Sequence, residues 1–243
     1  MKKYLPLILL GLGLIVAVVA FFVLRGRGGE AVEDEDAGAM IEVPLEDRPV
    51  ASLTPSEDSQ GCVELALVVE KIRIEAASMD YELLYKLPDG RTQGVPGTLD
   101  ISGVDSVEKE GLLLGSESSG RRRCDEGVEN GTLTLRFRND KGRLLTRFTT
   151  DFSLQSGTDE LVSVDGEFTA ALDASSREYF VTMGTFGVPG DLPGALTSGP
   201  YGVFTSASRD LDGEVELSGN ANRWTGSSWS SSFSEATGIF VGI

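Results

Sequence analysis

The sequence predicts a β-sandwich region, built as one large or two small sandwiches, carried behind a single N-terminal transmembrane helix. Three observations predict it. Residues 4–24 form an uncharged apolar run. From about residue 61 onward, apolar and polar residues alternate in short stretches between turn signals, the period of half-buried strands. The composition, with 30 Gly among 243 residues and many Ser and Thr, favours a turn-rich β protein over a helical one.

The anchor comes first. Tyr4 to Leu24 reads YLPLILLGLGLIVAVVAFFVL. At about 1.5 Å rise per residue, a helix of this length spans the ~30 Å hydrocarbon core of a bilayer. A cleaved signal peptide is the alternative, with Val18-Val19-Ala20 as a small-residue cleavage site. Secretory apolar cores run about 7–15 residues, however, and Phe21 to Leu24 carry this run past that site. No Cys lies near the segment, which excludes a lipoprotein anchor. Lys2, Lys3 and the terminal amine precede the run, and Arg25 and Arg27 follow it. Counting basic residues near each end gives almost a tie. The short Met-Lys-Lys start and the long remainder place residues 1–3 in the cytoplasm and the C-terminal region outside the cell membrane.

Residues 25–60 read as a linker. GRGGEAVEDEDAGAM is small and acidic, and charged linkers extend by self-repulsion. Pro44, Pro49 and Pro55 continue the non-helical character, and Met40, Ile41, Val43 and Leu45 could pair as an edge strand. A β-sandwich domain is expected over 61–156. Val63, Leu65, Leu67 and Val69 share one face, while Ile72 and Ile74 have the opposite parity, so a bulge near Glu70-Lys71 or a crossing between two sheets is expected. The clearest hairpin has Leu133, Leu135 and Phe137 on one strand, Asn139-Asp140-Lys141-Gly142 as the turn, and Leu144 to Leu154 in one parity on the other. Residues 157–243 read as a second β domain or as the completion of the first sandwich. There Asp165-Gly166 marks a hairpin turn, 184–202 a Gly/Pro loop, and GIFVGI a buried last strand.

The layout resembles membrane-anchored extracytoplasmic β-sandwich proteins. Residues 62–156 are about the right length for one immunoglobulin- or fibronectin-like sandwich. The Cys-Trp-Cys hallmark of immunoglobulin domains is not met, because Trp224 and Trp229 both follow Cys124.

Charge and composition exclude several functions. Residues 30–243 carry 17 Lys/Arg against 38 Asp/Glu, a net charge of −21. Such a surface repels phosphate backbones, so nucleic acid is not an expected partner. Histidine is absent, so neither a Ser-His-Asp or Cys-His nucleophile nor a His-ligated zinc site can be built. Two cysteines are too few for a Cys-cluster zinc site. No cofactor motif is present.

Four groups of residues remain as candidates. Cys62 and Cys124, the only cysteines, could form a disulfide in an oxidising compartment, or remain as thiols. Arg121-Arg122-Arg123 could hold an anion, or meet Asp125, Glu126 and Glu129 locally. Asp210-Leu211-Asp212-Gly213-Glu214 resembles the start of a calcium loop but has Val215 where the loop needs Gly. Tyr201, Asn220, Asn222, Trp224 and Trp229 lie in or beside Gly/Ser-rich segments, where amides and aromatic rings could face a ligand. The alternative is that the Trp rings fill the end of the core. The expected function is a membrane-anchored extracytoplasmic binding protein for a protein or glycan ligand. A carboxylate-dependent envelope enzyme, such as a glycoside hydrolase, is the second reading.

Overall fold

The alternating stretches do become strands, and every strand pair is antiparallel. The computed structural model describes residues 40–119 and 121–243. The apolar run 4–24 and the stub before it lie outside the described residues. Among the described residues, no helix is long and apolar enough to cross a membrane.

Fifteen strands follow in order: β1 Val50–Glu57, β2 Val63–Glu70, β3 Ser78–Lys86, β4 Thr92–Asp100, β5 Val107–Leu113, β6 Gly115–Ser118, β7 Arg121–Cys124, β8 Asn130–Arg138, β9 Leu144–Val162, β10 Phe168–Gly184, β11 Ser198–Thr205, β12 Gly213–Leu217, β13 Ala221–Trp224, β14 Trp229–Ser230 and β15 Gly238–Gly242. A three-stranded sheet has the order β1-β2-β5. A ten-stranded sheet runs β14-β13-β15-β11-β10-β9-β8-β3-β4, with β12 also pairing β10, and β6 and β7 form a separate hairpin.

The first core lies between the small sheet and one face of the large one. Leu53, Leu65 and Leu67 from the small sheet meet Met79, Leu83, Leu133, Leu135, Phe137 and Phe152 from the large one. This two-layer packing is that of a β-sandwich. The edges carry the features that keep edges from pairing further: β5 exposes Glu108, Lys109 and Glu110, and Pro96 and Pro55 lie in the edge strands β4 and β1.

Strand β1 corrects part of the predicted linker. Residues 45–57 hold a short 3-10 turn at Leu45–Asp47 and the whole of β1. Proline suggested a loop because it cannot donate to a ladder, but β1 pairs with β2 along its length and bonds on its other side only at Val50 and Ala51, to Phe186 and Thr185, so Pro55 lies on an open edge that tolerates the missing donor. The apolar patch before it is tied down by the Ile41 N–H, which donates to the Leu145 carbonyl at 2.8 Å. The parity change expected near Glu70-Lys71 has a simple local cause: β2 ends at Glu70, and Lys71 adopts a left-handed φ of 57°.

The long strand β9 crosses position 157 and pairs with β10 within one sheet. The turn between them is built by Asp165, which accepts from the Glu167 N–H and the Ser163 hydroxyl. Near its start β10 pairs with β12 through Phe168↔Leu217, and near its end with β11 through Gly184↔Tyr201. A straight strand would put these two ends about 50 Å apart. Yet the Phe168 and Tyr201 rings are 5.2 Å apart, so the hairpin folds back over the sheet. It bends where the β9–β10 register shifts, between Ala171 and Tyr179. The second core fills this fold with Leu161, Phe168, Ala170, Phe180, Val203 and Phe240. The end of β10 is therefore covered on both faces: Phe180 faces the second core, and Val181 and Met183 face the first. A doubly buried strand reads as an apolar run rather than an alternation, as Phe180-Val181-Thr182-Met183 does.

Strand β15 lies between β11 and β13, and both Phe240 and Val241 are fully buried. The Gly/Pro loop after β10 caps a face rather than hanging free. Gly190 lies against Trp224 so closely that a Cβ there would come within 2.5 Å of the ring.

Candidate functional site

A cleft lined by polar groups opens beside Cys62 and Cys124. These two are joined by a disulfide with Cα atoms 5.1 Å apart. The bond ties the start of β2 to the end of β7 and closes a loop of 62 residues. On the chain-entropy account, a loop of that size stabilises the fold by about 4 kcal/mol.

Arg122 reinforces the same corner. Strand alternation turns Arg122 toward β2 and leaves Arg121 and Arg123 exposed. Arg122 then binds Asp58 at 2.6 Å, Glu117 at 3.0 Å, and Glu64. The partners expected from sequence, Asp125, Glu126 and Glu129, belong to the segment after the strand and pair elsewhere or not at all. Asp58 also accepts from the Cys62 N–H. That hydrogen bond, followed by the Arg122 guanidinium, holds its carboxyl below the ordinary value.

Beyond the disulfide, residues 125–130 and the middle of β9 enclose a cleft of about 750 Å³, within the size range of ligand sites. Asp125 is fixed on two sides: its N–H donates to the Leu114 carbonyl, and its Oδ2 accepts from the Tyr85 hydroxyl at 2.9 Å. Tyr85 is buried, and this burial, with the adjacent carboxylate, pushes its phenol well above its ordinary pKa. Across the cleft, Gln155 is pinned by the Val162 N–H and the Glu160 carbonyl. The lining includes Asp125, Glu126 and Glu129 and contains no Lys or Arg. Such walls accept hydrogen bonds and attract neutral or cationic groups, and they repel anions. Of this lining, the sequence pointed to Cys124 as one of the cysteine pair, and to Asp125, Glu126 and Glu129 only as local partners for the arginines. The lining comes from six separate segments, and no local pattern announces their convergence.

The structure divides the residues that sequence did single out. Tyr201 is paired with Phe240, and Phe240 with Arg223, so these three share the face of the second core. The Tyr201 hydroxyl donates to Asp165 at 2.9 Å, and burial followed by that bond raises its pKa. Asn222 and Trp224 lie on the opposite face of β13. Trp224 meets Trp229 edge-to-face with ring centroids 5.3 Å apart, Gly190 of the capping loop lies against them, and both rings stay half-buried. Asn222 is only 8% exposed, and its Nδ2 donates to the Asn220 carbonyl at 2.9 Å.

The Asp210–Glu214 segment is committed to internal bonds. Asp210 binds Arg223 at 2.6 Å and accepts from Thr237, and Asp212 accepts from Ser234. Among the described residues, no group of three His, Cys, Asp or Glu side chains could hold a metal ion. Comparison with known proteins gives no matching family model, no matching curated protein and no matching solved structure.

Proposed function

We propose that this chain is a membrane-anchored extracytoplasmic binding protein that holds a protein or glycan ligand in the cleft beside Cys62–Cys124. The observation that carries the reading is the disulfide on the rim of a polar cleft. Structural disulfides belong to oxidising compartments, and this one braces the wall that a ligand would press against. The uncharged run 4–24 supplies the anchor, and the acidic surface suits a soluble region held outside an anionic membrane. Loops and clefts at the ends of immunoglobulin- and fibronectin-like sandwiches serve binding in the same way, and such a module is the finer reading of this fold.

The three carboxylates of the cleft favour one second reading, a glycoside hydrolase. It needs two carboxyl groups about 5–9.5 Å apart across a sugar bond. Release of reducing ends from an added oligosaccharide separates the two readings, since a binding protein returns its ligand unchanged.

The anchored reading is tested on intact cells with a membrane-impermeant amine reagent. Lys86, Lys109 and Lys141 are exposed and should be modified, while Lys2 and Lys3 should react only after lysis. Protection of the three exposed lysines in intact cells would overturn the orientation.

A further inference from the structure

The far end of the large sheet carries a second concave surface, separate from the disulfide cleft. Strand β14 pairs with β13 only at Arg223 and Trp224, so the outer edge of Ala221 and Asn222 has no ladder partner among the described strands. Strand β12 pairs with β10 along one side, and its other side faces the same gap. Between them lies a groove of about 920 Å³, lined by Leu217, Asn220, Asn222, Ser231 and Phe233, with Glu216 as the only ionisable side chain among its described residues.

Two features point to a ligand. Asn222 is more than nine-tenths buried, yet its Oδ1 has no hydrogen-bond partner within the described residues. Its amide is held in place by the Asn220 carbonyl, so a fixed acceptor is presented to the groove and left unused. Across the open edge of β13, on the side of the second core, the Phe233 ring is half-buried and held against Phe240 at 5.6 Å, and it also lines the groove.

We propose that this groove is a second binding site, for a neutral oligosaccharide. Sugar hydroxyls are both donors and acceptors, and amides and serine hydroxyls answer both functions. The C–H face of a pyranose ring matches an aromatic or aliphatic floor such as Phe233 and Leu217. With no cation in the lining, phosphorylated, sulfated and carboxylated ligands lack a counter-charge. An extended peptide could use the open strand edges, but it would leave Asn222 Oδ1 to chance, whereas a hydroxyl-rich ligand brings a donor to it in many poses.

The test is calorimetric titration of the full chain, in a detergent without sugar headgroups, with cellohexaose, maltohexaose and chitohexaose. At least one should bind saturably. Asn222→Ala should weaken that binding about tenfold, as expected for one lost directed hydrogen bond in a restricted site. Asn220→Ala, at an exposed position, should weaken it severalfold without changing the melting temperature, so the outcome does not depend on how well the first variant folds. Any of four results overturns the proposal: no binding by all three sugars, binding unchanged in both variants, equal binding of an oligogalacturonate, or binding of a neutral extended octapeptide with the sugars silent.

Discussion

Thr182 lies on the doubly covered end of β10, fully buried, and its hydroxyl has no hydrogen-bond partner among the described residues. A buried hydroxyl without a partner costs about 1–3 kcal/mol. Valine has nearly the same shape and keeps the β-branch that suits a strand. Thr182→Val should therefore raise stability by about 1–2 kcal/mol, a shift of a few degrees in Tm for a domain of this size. A lower Tm in thermal melts would show that the hydroxyl has a partner in solution.

Asp58 gives a prediction of the opposite kind. Its carboxyl is held below the ordinary value of 3.8 by the Cys62 N–H and by Arg122. The unfolded chain thus takes up a proton at higher pH than the folded one. The stability from Asp58 is present above pH 3.8 and is lost as pH falls through the depressed folded value. Asp58→Asn should lower Tm at about pH 6 and flatten the fall of Tm between about pH 4 and pH 2. Parallel Tm curves for the two proteins would exclude Asp58 as a source of acid sensitivity.

Among the elements, the β8–β9 hairpin was the most legible. Leu133, Leu135 and Phe137 alternate with polar residues, and Gly142, with a φ of 76°, provides the left-handed turn position that Asn139-Asp140-Lys141-Gly142 suggests. Strand β1 was not legible, because its prolines describe an edge as well as a loop. The fold-back of β9 and β10 was hidden for another reason. Its alternation is locally ordinary, and only the contact of Phe168 with Tyr201 and Phe240 reveals it. Strand β15 completes this fold from the chain end. It pairs on both sides and places Phe240 in the second core and Val241 on the opposite face. Removing a buried Phe alone costs about 3–5 kcal/mol, against a total stability of about 5–15 kcal/mol. A chain ending at Thr237 should be insoluble or should lack a cooperative melt. A soluble product melting within a degree or two of the full chain would show that β15 is dispensable.

At the scale of the whole molecule, composition and period conveyed the class, an antiparallel all-β protein with sandwich packing. They could not convey the candidate sites. The disulfide cleft draws Asp125, Gln155 and Tyr179 from strands and loops far apart in the chain, and Asn222 stands in the sequence among candidate amides and rings with nothing to show which of them line a groove. Tyr201 and Trp224 looked like companions because they are near in sequence, but strand parity puts them on opposite faces. The proposed anchor, the acidity and the disulfide meet in one proposal, that this domain works in an oxidising space outside the membrane. Thiol trapping in living cells tests it most directly. Cells are quenched in acid and denatured, then treated with a mass-tagged maleimide before or after reduction. The account predicts no tag on the unreduced chain and two tags, on Cys62 and Cys124, after reduction. Two tags without reduction would contradict it, because the pair would then be thiols in a reducing compartment.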